Sequence, residues 1–83
     1  GEINFRLADA EAARAAFEAE YAPKAEAVDR LDGLSLSFSD WRANLRASNT
    51  EPVLRLNVEA RGDPGRVAAR VAEISALIER AGR

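Results

Sequence analysis

Three runs in close succession alternate apolar and polar residues. Leu34, Leu36 and Phe38 alternate with Ser35, Ser37 and Ser39. Trp41, Ala43 and Leu45 alternate with Arg42, Asn44 and Arg46. Leu54, Leu56, Val58 and Ala60 alternate with Arg55, Asn57, Glu59 and Arg61. A period of two is the signature of a half-buried strand. The gaps between the runs are too short for a crossover helix, so neighbouring strands must pair antiparallel. One face of the resulting sheet is apolar and must be covered. The other is lined with serine, arginine, asparagine and glutamate.

The flanking segments supply the cover. Ile3, Phe5 and Leu7 form a first strand, and Asp9 is a plausible N-cap. From Ala10 to Tyr21 the chain is alanine-rich, with Ala13, Phe17 and Tyr21 on one face. Glu11, Arg14 and Glu18 stand on another face, at ion-pair spacing. Pro23 ends this helix. Ala27-Val28 begins a further strand, but Val28 and Leu31 differ in parity, so it carries a bulge or ends early. Asp32-Gly33 marks a tight turn. After Gly62, Asp63 caps a second helix with Pro64 at its first position, and Val67, Val71, Ile74 and Ile78 form its apolar stripe. Gly82 stands where a C-terminal cap belongs.

The element order reads β-α-β-β-(β)-β-α. It predicts an α+β fold: a single antiparallel sheet of four strands, with the Trp41 segment as an optional fifth, and two helices on one face.

Composition narrows the function. A chain of 83 residues makes one small domain with little room for a deep private active site. Twelve Lys+Arg against fourteen Asp+Glu give a net charge of -2, which argues against a nucleic-acid or anionic-membrane binder. There is no cysteine and no histidine, so no disulfide, no thiolate metal site and no imidazole base. No transmembrane run or signal peptide is apparent, and a cytoplasmic location is expected. The chain lacks methionine and begins Gly1-Glu2-Ile3-Asn4 already in alternation, which reads as a domain cut from a longer protein. Processing of a native N-terminus is the alternative.

The segment Leu45 to Pro52 concentrates the chemistry. Arg46 offers a guanidinium, Ser48 and Thr50 hydroxyls, and Asn49 a carboxamide. Arginine pairs with two oxygens of a phosphate in a fork. Hydroxyls, amides and turn backbone reach the third oxygen. No G-x-x-x-x-G-K-[ST] pattern accompanies them, so nothing points to nucleotide hydrolysis. Ser, Asn and Thr are also ordinary turn residues, and that plainer reading stands beside the phosphate one. Asp29 and Asp32 suit a turn better than a metal site, because no third ligand converges. Trp41 is read as packing rather than as a sugar platform. Arg42, on the same face as Arg46, is a candidate for extra positive potential.

The run Arg46-Ala47-Ser48-Asn49-Thr50-Glu51-Pro52 and the strand Val53 to Glu59 closely resemble the C-terminal domain of the α-D-phosphohexomutases of bacterial phosphomannomutase/phosphoglucomutase type. Asp32-Gly33-Leu34, Trp41, the opening Gly1 to Asn4 and the last helix fit the same domain, so the resemblance covers essentially the whole chain. It implies a TATA-binding-protein-like form. It implies that Arg46, Ser48, Asn49 and Thr50 bind the phosphate of the sugar that is not being transferred, while Glu51 has no ligand role and Pro52 stiffens the exit. For the parent it implies interconversion of hexose 1-phosphate and hexose 6-phosphate through a bisphosphorylated intermediate, with Mg2+ and a phosphoserine. Those groups belong to three preceding domains whose motifs are absent from this sequence. Residues 1–83 are thus expected to form a single phosphate-binding domain of a four-domain enzyme. No catalytic or metal residue, no cofactor and no mutase activity are expected of this chain alone. The alternative from another class is a non-catalytic protein-interaction or dimerisation module.

Overall fold

The runs of alternating residues become strands because each can bury one side and solvate the other. The computed structural model describes residues 2–31, 33–48 and 50–83. The elements are β1 (Glu2–Arg6), α1 (Ala10–Tyr21), β2 (Ala27–Asp29), β3 (Leu34–Ser37), β4 (Trp41–Ala47), β5 (Val53–Ala60) and α2 (Pro64–Ala81). A short 3-10 turn at Ala22–Lys24 contains Pro23 and closes α1.

The sheet has five strands in the order β1-β5-β4-β3-β2, and every pair is antiparallel. The Trp41 segment, the optional strand of the sequence reading, lies at the centre, because β3 and β5 pair with its two edges. β2 through β5 form a meander. β1 joins at the far side of β5, with Phe5 opposite Leu54.

The core lies between the sheet and the helices. Leu34 and Leu36 from β3, Ala43 and Leu45 from β4, and Leu54, Leu56 and Val58 from β5 are buried. They meet Phe17 and Tyr21 of α1 and Ile74 and Ile78 of α2. Val67 and Val71 pack at the margin of the same cluster. The Tyr21 hydroxyl donates to Glu73 Oε1 at 2.6 Å, tying the two helices together. Burial first, and then that carboxylate, raise the Tyr21 pKa above the usual phenol range.

The caps follow from the sequence. Asp9 accepts the Ala12 N–H at 3.0 Å, and Asp63 accepts the Gly65 N–H at 2.8 Å. Gly82 occupies the C-cap of α2 with an ordinary φ of -92°. A Cβ there would lie 2.9 Å from Leu7 Cδ2, so a larger residue would make the Leu7 side chain shift. The Gly82 carbonyl also accepts the Asp9 N–H at 3.0 Å, so the end of α2 docks onto the entry to α1.

Candidate phosphate site

β4 and β5 are joined by the hairpin loop that carries the predicted site. Ser48 N–H donates to Val53 O at 3.0 Å and closes the loop. Val53 N–H donates to Glu51 O at 2.8 Å, a γ-turn centred on Pro52. Proline suits that position because its ring fixes φ near the inverse γ-turn value. The exit is also tied sideways. Leu7 N–H donates to Pro52 O at 3.0 Å, and Arg6 Nη2 meets Glu51 Oε2 at 3.1 Å. Glu51 therefore has its own cation on β1. Ser48 Oγ accepts the Thr50 N–H at 3.3 Å, which leaves the serine hydroxyl proton for another acceptor.

Arg46 stands on the open face of the sheet, opposite Arg55 in the β4–β5 register. Like charges directly opposite each other disfavour a sheet. Arg55 is held by Asn4 Oδ1 at 3.0 Å and lies 3.6 Å from Glu2 Oε2.

A cleft of about 660 Å³ opens at this end of the sheet. Arg14, Arg30, Arg46 and Arg55 line it together with Gly33, Leu45, Ser48 and Val53, and among the described residues no carboxylate lines it. Two of these arginines come from elsewhere in the fold. Arg14, on α1, donates to Glu11 and, through Nη1, to Glu18 Oε1 at 2.6 Å. Arg30, in the β2–β3 loop, donates through Nη2 to the other oxygen of Glu18. The Arg30 guanidinium, and after it Arg14, hold the Glu18 carboxyl down at about 2. The loop lies close because of Gly33: its φ is +74°, and a Cβ there would sit 2.7 Å from Leu45 O and 3.0 Å from Arg46 Cβ.

The structure brings Arg46 and Ser48 into the cleft. Thr50 is exposed on the loop and is not among the lining residues. Asn49 and Asp32 lie outside the described residues. Arg42 is exposed, pairs with Glu59 at 3.3 Å and does not line the cleft, so the candidate role of extra positive potential there has no support. Four residues of strand place it about 13 Å from Arg46. Asp29 accepts the Leu31 N–H at 2.8 Å and so serves a turn. Trp41 stacks on Phe38 with centroids 4.0 Å apart and 3° between planes, beneath the Arg70 guanidinium.

Residues 2–77 match the family model described as "Phosphoglucomutase/phosphomannomutase, C-terminal domain". The chain belongs to this family. The phosphomannomutase of Salmonella montevideo is 63% identical over 78 residues, 94% of this chain. A protein of Xanthomonas campestris pv. campestris (strain B100) described as "Phosphohexose mutases" is 53% identical over the same share. The chain spans 17% of the length of these curated relatives. The crystal structure of a phosphoglucomutase/phosphomannomutase family protein from Burkholderia thailandensis matches 98% of this chain and 18% of its own, with a TM-score of 0.62 and 24% identity. That likeness bears on the fold alone. The five-stranded sheet and its two helices are a fold shared with part of that protein. Within that architecture, sequence reasoning missed Arg14, Arg30 and Arg55 as neighbours of the loop.

Proposed function

We propose that this chain is the phosphate-gripping domain of a phosphohexomutase that interconverts hexose 1-phosphate and hexose 6-phosphate through a bisphosphorylated sugar. The observation that carries this reading is the cleft where Arg46 and Ser48 meet Arg14, Arg30 and Arg55, four guanidiniums at one end of the sheet. A tetrahedral dianion suits that lining. Arg46 supplies the planar fork. Ser48 supplies a hydroxyl from the cleft wall, and in this reading Asn49 and Thr50, farther along the loop, supply amide and hydroxyl donors once the anion is bound.

The reaction explains why charge, rather than a pattern of sugar hydroxyls, is recognised. The bisphosphorylated sugar must turn over between two transfers. A loop that holds whichever phosphate is distal serves both orientations. The transfer itself, with a phosphoserine and Mg2+, belongs in this reading to the three preceding domains of the parent, in the cytoplasm. The present chain does not fit the metal: among the described residues no three acidic or other ligating side chains converge. No step on this chain is therefore routed through magnesium, and the chain alone is expected not to convert glucose 1-phosphate.

Four charge-assisted contacts contribute roughly 6–12 kcal/mol at about 1.5–3 kcal/mol each. Association opposes them by about 4–15 kcal/mol. The two ranges nearly cancel, so the loop alone binds a sugar phosphate only weakly, at about millimolar or weaker. Tight binding needs other domains to close over the sugar, which makes this domain a lid.

Amide NMR during titration with inorganic phosphate tests the reading. Shifts should cluster at residues 46–50. Arg46→Lys should weaken the response several-fold while leaving the melt in place, since lysine keeps the charge and loses the fork. A silent loop would favour the non-catalytic interaction module. Micromolar binding of glucose 6-phosphate would contradict the lid.

A further inference from the structure

The sequence loop is only one wall of the cleft. The opposite wall is built by Arg30 of the β2–β3 loop, and the way Arg30 is held is unusual for a surface cation. Its partner, Glu18, is shared. One carboxylate oxygen meets Arg14 Nη1 at 2.6 Å and the other meets Arg30 Nη2. Arg14 is itself clasped by Glu11, through both Nε and Nη2. The two arginines differ in exposure: the Arg14 side chain is 33% exposed and the Arg30 side chain 60%. Arg14 is thus the inner, anchored member, and Arg30 the outer member facing the cleft.

This arrangement has a chemical consequence. Were Glu18 paired with Arg30 alone, moving Arg30 to an incoming anion would strand a carboxylate. With Arg14 also holding Glu18, Arg30 can keep Nη2 on Glu18 and offer the rest of its guanidinium to an anion. Gly33 supports the same geometry from the other side, because the close approach of its backbone to Leu45 and Arg46 lays the Arg30 loop against the predicted ligand strand.

We infer that Arg30 is a further ligand for the substrate phosphate, delivered from the β2–β3 loop, and that Glu18 is the positioning residue that keeps it at the cleft. The inference rests on the phosphate reading given above, and deepens it: the anion is held between two loops rather than by one.

The test is titration of the 83-residue chain with inorganic phosphate at low ionic strength, read by amide NMR on the wild type and three variants. Arg30→Gln should weaken binding about three- to tenfold, as loss of one partly exposed charge-assisted contact implies. Glu18→Gln gives the sharper readout. If Glu18 only repelled the anion, its neutralisation would tighten binding. A positioning role requires the opposite, a weakening, with shifts lost at the Arg30 amide and kept at Ser48. Arg61→Gln, on a cation that does not line the cleft, matches the charge change and should leave binding unaltered. Folding of each variant is checked by retention of the wild-type amide pattern in β4 and β5. Arg30→Gln binding as tightly as wild type, Glu18→Gln binding more tightly, or Arg61→Gln losing as much as Arg30→Gln would each overturn the inference while the loop site stands. Absence of any wild-type response at residues 46–50 would instead remove the phosphate reading itself.

Discussion

Gly33 and Gly62 both adopt left-handed backbone, with φ of +74° and +85°, yet their surroundings differ. A Cβ at Gly62 meets nothing within 4 Å, whereas one at Gly33 would lie 2.7 Å from the Leu45 carbonyl oxygen and 3.0 Å from Arg46 Cβ. The pair therefore separates backbone strain from steric contact. Placing an L-residue in this region costs roughly 1–2 kcal/mol. Part of that is offset, by about 0.4–1 kcal/mol, because alanine restricts the unfolded chain. Gly62→Ala should then cost about 0.5–1.5 kcal/mol. Gly33→Ala carries the same strain plus the displacement of a backbone carbonyl in a central strand. Overpacking of that kind costs typically about 1–3 kcal/mol more. A domain of this length has about 4–12 kcal/mol of stability at roughly 0.05–0.15 kcal/mol per residue, so both variants should fold. Each kcal/mol lowers Tm by about 4–8 °C at this size. Thermal and urea melts followed by circular dichroism measure the difference directly. Gly33→Ala should also shift the amides of residues 45–47 and weaken phosphate binding, and Gly62→Ala should do neither. Equal destabilisation by the two substitutions would refute the claim that the β2–β3 loop is pressed against Arg46.

Two further outcomes follow from the same structure. The Glu18 carboxyl, held at about 2 by Arg30 and Arg14 against an ordinary 4.5, contributes stability that is complete above the ordinary value and is lost as pH falls through about 2. Melts between pH 5 and about 2 should show wild type losing more stability over this window than Glu18→Gln, and parallel curves would contradict the shared ion pair. Leu36 is fully buried between β3 and the helices, so Leu36→Ala should destabilise by about 2–5 kcal/mol in urea melts with the phosphate response of the loop kept in the folded fraction.

The fold was legible wherever one physical signal acted alone. Helix α1 runs from Ala10 to Tyr21 as its alanine-rich face, its Asp9 cap and Pro23 require. Helix α2 begins at Pro64 behind the Asp63 cap. The parity conflict between Val28 and Leu31 was a real boundary: β2 stops at Asp29, and Leu31 is 94% exposed in the loop beyond it. The place of the Trp41 strand was less clear, because a short half-polar run does not say how many neighbours it has. Its pairing with both β3 and β5 is a property of the assembled sheet. Gly82 shows another limit. Its position at the end of α2 was readable, but its closeness to the Leu7 side chain, distant in sequence, was not.

The site divides in the same way. Arg46 and Ser48 were visible because the hairpin loop is continuous in sequence and dense in donors. Arg55 was within reach of the same reasoning. Once the hairpin centre is set between Thr50 and Glu51, Arg46 and Arg55 fall opposite each other on the outward-facing positions, as Arg42 and Glu59 do. That register predicts one like-charge pair beside the loop and one opposite-charge pair farther away, which is why Arg42 is neutralised and Arg46 is not matched by its cross-strand neighbour. Arg14 and Arg30 were beyond reach. The helical spacing of Glu11, Arg14 and Glu18 declared their ion pairs correctly, but it could not declare that Glu18 has a second cation twelve residues on. That contact depends on how far the β2–β3 loop leans toward α1, and the lean is set by Gly33 against the backbone of β4. A single glycine without a side chain thus joins the helix network to the β4–β5 loop, and no local pattern of residues could have announced it.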